Sequence, residues 1–92
     1  MANLAISITL GGFNPAEAIT SAGSVVTWTN KDDPALQSTH TTTSNDGLWD
    51  SGPLNAGNAF THPFTDPGDF SYHCAIHPSE TGIVKVFFPA AG

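Results

Sequence analysis

Gly68-Asp69-Phe70-Ser71-Tyr72-His73-Cys74-Ala75-Ile76-His77-Pro78-Ser79-Glu80-Thr81-Gly82-Ile83-Val84-Lys85-Val86-Phe87-Phe88 reads as strand, loop and strand. In its first part, Asp69–Cys74, Phe70, Tyr72 and Cys74 fall on one face and Ser71 and His73 on the other, the period of two that a half-buried strand requires. In its last part, Ile83–Phe88, Val84, Val86 and Phe88 share a face. The same alternation recurs upstream. Leu4, Ile6, Ile8 and Leu10 alternate with Ala5, Ser7 and Thr9, and Val26, Trp28 and Asn30 share one side of a run rich in β-branched residues, Ser24–Asn30. Turn chemistry separates the runs: Gly11-Gly12, Ala22-Gly23, Asp32-Asp33-Pro34, Asn45-Asp46-Gly47, Ser51-Gly52-Pro53 and Asp66-Pro67-Gly68. Breakers at this cadence predict an all-β sandwich or barrel with slight helical content, at most one turn over Pro15–Ile19.

The chain has 92 residues, enough for one small domain, and residues 1–92 are expected to form it. With 39% hydrophobic and 11% charged residues there is enough apolar area to offset chain entropy, which excludes disorder. Lys31 and Lys85 stand against 8 acidic residues, for a net charge of −6. Nucleic-acid binding needs clustered Lys and Arg and is excluded, as is attraction to anionic membrane surfaces. A partner steered by charge would carry a basic patch. Cys74 is the only cysteine, so no internal disulfide and no multi-cysteine cluster can form within the chain. No segment reaches the length of a membrane-spanning helix and no signal peptide is visible. The expectation is a cytosolic protein, or a mature or excised form of a longer one.

The chemistry concentrates between the last two strands. Cys74, His77 and Glu80 fall at i, i+3 and i+6, a spacing at which a loop curls three side chains around one point. A thiolate, an imidazole and a carboxylate converging there make a metal site, and a second imidazole would complete it. His73 lies next to Cys74 on a strand, so it points the other way. His62, between Phe60 and Phe64, reads as a packed or edge residue. His40, in the polar, β-prone stretch Ser38–Thr43, is the remaining ligand. Such a set suits transition-metal ions, tetrahedral zinc among them. Read as nucleophile, base and orienter, the same three loop residues would need a substrate cleft at Cys74. Trp28 and Trp49 are expected to pack in core and loop, and Phe13, Phe60, Phe64, Phe70 and Phe88 in core or rim.

The motifs Trp28-Thr29-Asn30-x-Asp32, His40-Thr41-x-Thr43-Ser44, Asp50-Ser51-Gly52-x-Leu54, Gly68-x-Phe70-x-Tyr72-x-Cys74-x-x-His77-Pro78 and Gly82-x-Val84-x-Val86 follow one another along nearly the whole chain. Together they resemble the cupredoxins, and the short ligand loop is most similar to that of amicyanin. The resemblance implies a Greek-key β-sandwich of about seven or eight strands holding one copper ion near one end. His40, Cys74 and His77 match the three equatorial ligands. It also implies single-electron transfer with redox protein partners, in a monomer without membrane insertion, in the periplasm or elsewhere outside the cytoplasm. Where amicyanin-like proteins carry a weak axial Met, this chain has Glu80, and Met1 is its only methionine. A ligating Glu80 resembles nitrosocyanin and implies a red, low-potential centre, since a hard anionic donor favours Cu(II) where a thioether tolerates Cu(I). The alternatives are a Glu80 facing solvent, an exchangeable position serving small-molecule redox catalysis or sensing, and an engineered axial variant of a blue copper protein. Zinc is expected as an adventitious substitute. Thr41 stands where relatives often place an Asn that ties the two ligand loops together.

Overall fold

The computed structural model describes residues 3–89, so the outermost residues of the expected 1–92 domain lie outside it. Ten strands occur among the described residues: β1 (Asn3–Thr9), β2 (Gly12–Asn14), β3 (Glu17–Ser21), β4 (Ser24–Asn30), β5 (Thr39–His40), β6 (Thr43–Ser44), β7 (Leu54–Asn55), β8 (Ala59–Phe64), β9 (Gly68–His73) and β10 (Thr81–Phe87). They form two four-stranded sheets, ordered β2-β1-β4-β8 and β3-β10-β9-β6, and a small third pair, β5-β7. The all-β sandwich expected from the alternation is the fold observed, with a few more, shorter strands than expected. No helix among the described residues is long and apolar enough to cross a membrane.

Alternation along each strand builds the core. Ile6 and Ile8 of β1, Val26 and Trp28 of β4, Leu54 of β7, Phe64 of β8, Tyr72 of β9, and Val84 and Val86 of β10 are all buried, with Trp49 from a connecting segment. Trp28 sits at the centre. Its ring lies 5.6 Å from Trp49, 5.4 Å edge-on from Tyr72 and 6.3 Å from Phe64, separations at which aromatic pairs attract beyond their area burial. Tyr72 is placed by Gly82, its cross-strand partner in the β9–β10 ladder. A Cβ at that glycine would stand 2.4 Å from the tyrosine ring. The buried Tyr72 hydroxyl finds no hydrogen-bond partner among the described residues. Burial pushes its pKa up to about 12.

Three expectations are corrected. Pro15–Ile19 forms no helical turn: Glu17–Ser21 is extended and pairs in parallel with β10, Ile83 opposite Glu17 and Lys85 opposite Ile19. The only helical turn among the described residues is Pro34–Leu36, capped by the Asp33 carboxylate accepting from the Ala35 N–H. Finally, Leu10 and Phe88 lie past the ends of their strands, and Phe88 is 79% exposed instead of joining the core or its rim.

Candidate metal centre

The connection from β9 to β10 begins at Cys74, the residue after the strand, and its side chain continues the inward face of Phe70 and Tyr72. Two backbone bonds close this loop on itself. The Cys74 N–H donates to the Glu80 carbonyl at 2.9 Å, and the Glu80 N–H to the His77 carbonyl at 2.8 Å. Closure brings residues 77 and 80 back over the sulfur. The sulfur is fully buried and receives two N–H groups, from Thr41 at 3.3 Å and His77 at 3.4 Å. The Thr41 hydroxyl accepts from the Ala75 N–H at 2.7 Å, so one residue ties the ligand loop to the segment carrying His40.

His40 arrives on β5 of the small third pair, where it is the cross-strand partner of Leu54 of β7. It is 0% exposed, and both ring nitrogens meet carboxylates. Nδ1 lies 2.8 Å from Glu80 Oε1, and Nε2 lies 2.8 Å from Asp32 Oδ2. Burial raises the Asp32 pKa, but bonds from the Ser38 hydroxyl, His40 and the Leu10 N–H, with the His40 charge, outweigh it and hold the carboxyl below its ordinary value. An ionised carboxylate only accepts, so Asp32 fixes the hydrogen on Nε2. His77 is more open, with its side chain 38% exposed. Its Nδ1 stands 3.6 Å from Cys74 Sγ and 3.4 Å from Glu80 Oε1, and its ring centre is 5.0 Å from that of His40.

One ligand atom from each of His40, Cys74, His77 and Glu80 therefore lies within 4.8 Å of the others. Sulfur, two imidazole nitrogens and a carboxylate oxygen form a donor set for a first-row transition ion. The geometry also asks for one. With its hydrogen on Nε2, the His40 Nδ1 presents a lone pair to a carboxylate oxygen 2.8 Å away, and only a proton or a metal ion between them makes that contact favourable. The nucleophile alternative fares badly, because the buried Cys74 sulfur offers no face to a substrate.

His73 and His62 stand apart from this cluster. His73 points outward and its Nδ1 lies 2.6 Å from Asn45 Oδ1. His62 packs against Trp49 and Phe64, at 5.0 and 5.1 Å, and burial lowers its pKa. Asp32 is the residue of the site that spacing alone missed. It stands in the sequence inside Trp28-Thr29-Asn30-x-Asp32, but its contact with His40 exists only once a turn folds the intervening chain back.

No family model matches the chain, nor does any curated protein sequence. Solved structures do. A purple cupredoxin from Nitrosopumilus maritimus is 32% identical, with a TM-score of 0.81, and the match covers 91% of this chain and 99% of that one. A reduced single-residue mutant of amicyanin is 22% identical with a TM-score of 0.82, over 91% of this chain and 81% of its own. A copper-containing nitrite reductase from Thermus scotoductus is 24% identical with a TM-score of 0.82. There, 95% of this chain matches 23% of a much longer one.

Proposed function

The chain belongs to the cupredoxin family, and on that premise we propose that it is a mononuclear copper protein of single-electron transfer whose ion is held by His40, Cys74, His77 and Glu80. The observation that carries this reading is the position of Glu80. Its carboxylate is 9% exposed, within 2.8 Å of one ligand imidazole and 3.4 Å of the other, and turned toward the donors and away from solvent.

Copper in such a site supplies a one-electron couple between Cu(II) and Cu(I). The residues of this chain do the rest. Cys74, buried and fixed by two N–H groups, supplies a soft donor that tolerates either state. His40, clamped at Nε2, keeps its position when the charge of the site changes. His77 exposes one ring edge among Ala75, Ile76, Pro78 and Pro53, all exposed, and forms the electron port to a protein partner. Glu80, a hard anion in place of a soft neutral donor, favours Cu(II) and makes a red centre of low potential. Each tenfold preference for Cu(II) over Cu(I) lowers the potential by about 59 mV. The same donors accept zinc, which would occupy the site without redox chemistry. As in the family resemblance, the place of action is the periplasm or another extracytoplasmic compartment.

A second reading, redox catalysis on a small molecule, has one observation in its favour. A cleft of about 350 Å³ beside Gly11, Gly12 and Phe13 reaches Glu80 and His77, and gives a small ligand an approach to the carboxylate side. The test separates these claims. Cys74→Ser should abolish the intense thiolate-to-copper absorption, and survival of that band would end the copper assignment. Glu80→Met should raise the reduction potential and turn a red centre blue. An unchanged potential would remove Glu80 from the ligand set while leaving His40, Cys74 and His77 in place. Spectral change on adding small ligands to the parent, lost when Gly12 is replaced by a bulky residue, would favour the second reading.

A further inference from the structure

The partner on the far side of the His40 ring is not part of the donor set. Asp32 Oδ2 meets Nε2 at 2.8 Å, with the carboxylate side chain 5% exposed and the histidine 0%. Asp32 is itself held on every side. Its Oδ1 accepts from the Leu10 N–H at 3.0 Å and its Oδ2 from the Ser38 hydroxyl. Its own N–H donates to Asn30 Oδ1 at 3.0 Å. Asn30 Nδ2 in turn donates to the carbonyl of Leu54 at 2.9 Å, and Leu54 is the residue opposite His40 in the β5–β7 pair. A closed circuit of contacts, running Asp32, Asn30, Leu54, His40 and back to Asp32, thus fixes one imidazole.

We propose that Asp32 is a positioning residue of the metal centre: it holds His40 with Nδ1 free for the ion, and it adds a buried negative charge that favours the doubly charged ion over the singly charged one. The proposal rests on the copper reading above. Two ligands, the Cys74 thiolate and Glu80, already balance a divalent ion, and Asp32 adds a third negative charge one ring away. Among the described residues no lysine forms an ion pair with it. Lys85 pairs with Glu17 at 3.4 Å, and Lys31 is exposed to solvent. Reduction therefore adds negative charge to a region that is already negative and poorly solvated, where charge interactions are less screened than in water. Carboxylates behind a ligating histidine act in this way in metal sites generally. They fix the tautomer and make the ring a stronger donor, and removing one typically costs 10–100-fold in metal affinity.

The test compares the parent with Asp32→Asn and Asp33→Asn. Both variants lose one negative charge, but Asp33 is exposed and its cap on the Pro34–Leu36 turn survives as Asn. Three quantities are read: the thiolate-to-copper band, Zn²⁺ affinity by competition with a chelator, and the reduction potential. Asp32→Asn should keep the band, bind Zn²⁺ about 10–100-fold more weakly, and raise the potential by about 59 mV or more, equivalent to a tenfold loss of Cu(II) preference. Asp33→Asn should match the parent. Equal affinities and potentials in the two variants would overturn the proposal. A parent without the thiolate band would instead defeat the copper reading, and Zn²⁺ affinity would still decide the role of Asp32. Should Asp32→Asn fail to fold, nitrogen–proton correlation of the histidine rings in the Zn²⁺-loaded parent decides the matter. A slowly exchanging hydrogen on His40 Nε2, with metal at Nδ1, supports the proposal; metal at Nε2, or a ring hydrogen that exchanges at once, refutes it.

Discussion

Thr41 joins the two segments that carry the donors, and a single hydroxyl does it. Its Oγ1 accepts from the Ala75 N–H at 2.7 Å and lies 2.9 Å from Thr43 Oγ1, while its N–H reaches the Cys74 sulfur. Removing the hydroxyl takes a partly buried hydrogen bond from the Ala75 N–H, a loss of about 0.5–1.5 kcal/mol. Thr41→Ala should lower stability in chemical denaturation by that amount and speed metal release, and Thr41→Ser should recover most of both. A stability equal to the parent in Thr41→Ala would show that the loop is held by its own closure at Glu80. At this scale the sequence was informative wherever a residue's role follows from strand parity or short spacing. Parity turned His73 outward, and the spacing of Cys74, His77 and Glu80 brought three donors together on one loop. Asp32 was less legible because its contact with His40 crosses an intervening turn of the chain. The strength of the Thr41 tie was equally hidden, since nothing local says which N–H its hydroxyl will meet.

The β9–loop–β10 unit sets the site's position through its register. Tyr72 faces Gly82 and His73 faces Thr81, so the strands leave Cys74 and Glu80 at the mouth of the hairpin, where one backbone bond closes the loop. Gly82 makes this pairing possible, because any larger residue would drive into the Tyr72 ring. Gly82→Ala should therefore destabilise the fold by about 1–3 kcal/mol, the cost of overpacking a filled core. Combining it with Tyr72→Leu should cost less than the sum of the two single changes, because the two sites couple by direct contact. Strict additivity in that double-mutant cycle would contradict the contact. The alternating runs that became β1, β4, β9 and β10 could be read directly, since each shows one face to the core. Pro15–Ile19 could not. Its Ala-Glu-Ala composition favours a helix locally, and it is extended because parallel pairing with β10, some sixty-five residues away, offers it a ladder. Leu10 and Phe88 likewise fit the alternation but fall where the ladder has already ended.

Over the whole molecule, the proposed electron transfer assigns charge and exposure different parts. A net charge of −6 with two basic residues would orient a basic partner from a distance, and the exposed apolar residues of the ligand loop beside His77 would then make the contact. Ile76, 47% exposed on the ligand loop, belongs to that surface. Ile76→Asp should slow electron exchange with a protein partner while leaving the potential unchanged, and raising the salt concentration should slow exchange in the parent by screening the long-range attraction. Rates equal to the parent's would move the port away from His77. Beneath these claims lies the four-donor site itself, on which the electron-transfer function depends. It is tested most directly by titrating the metal-free chain with Cu(II) while recording the visible and electron paramagnetic resonance spectra. Saturation at one equivalent is expected, with an intense thiolate-to-copper absorption in the red-centre range and a single mononuclear signal. Cu(II) that binds without a thiolate band, or at more than one equivalent with no distinct first site, would contradict the four-donor site.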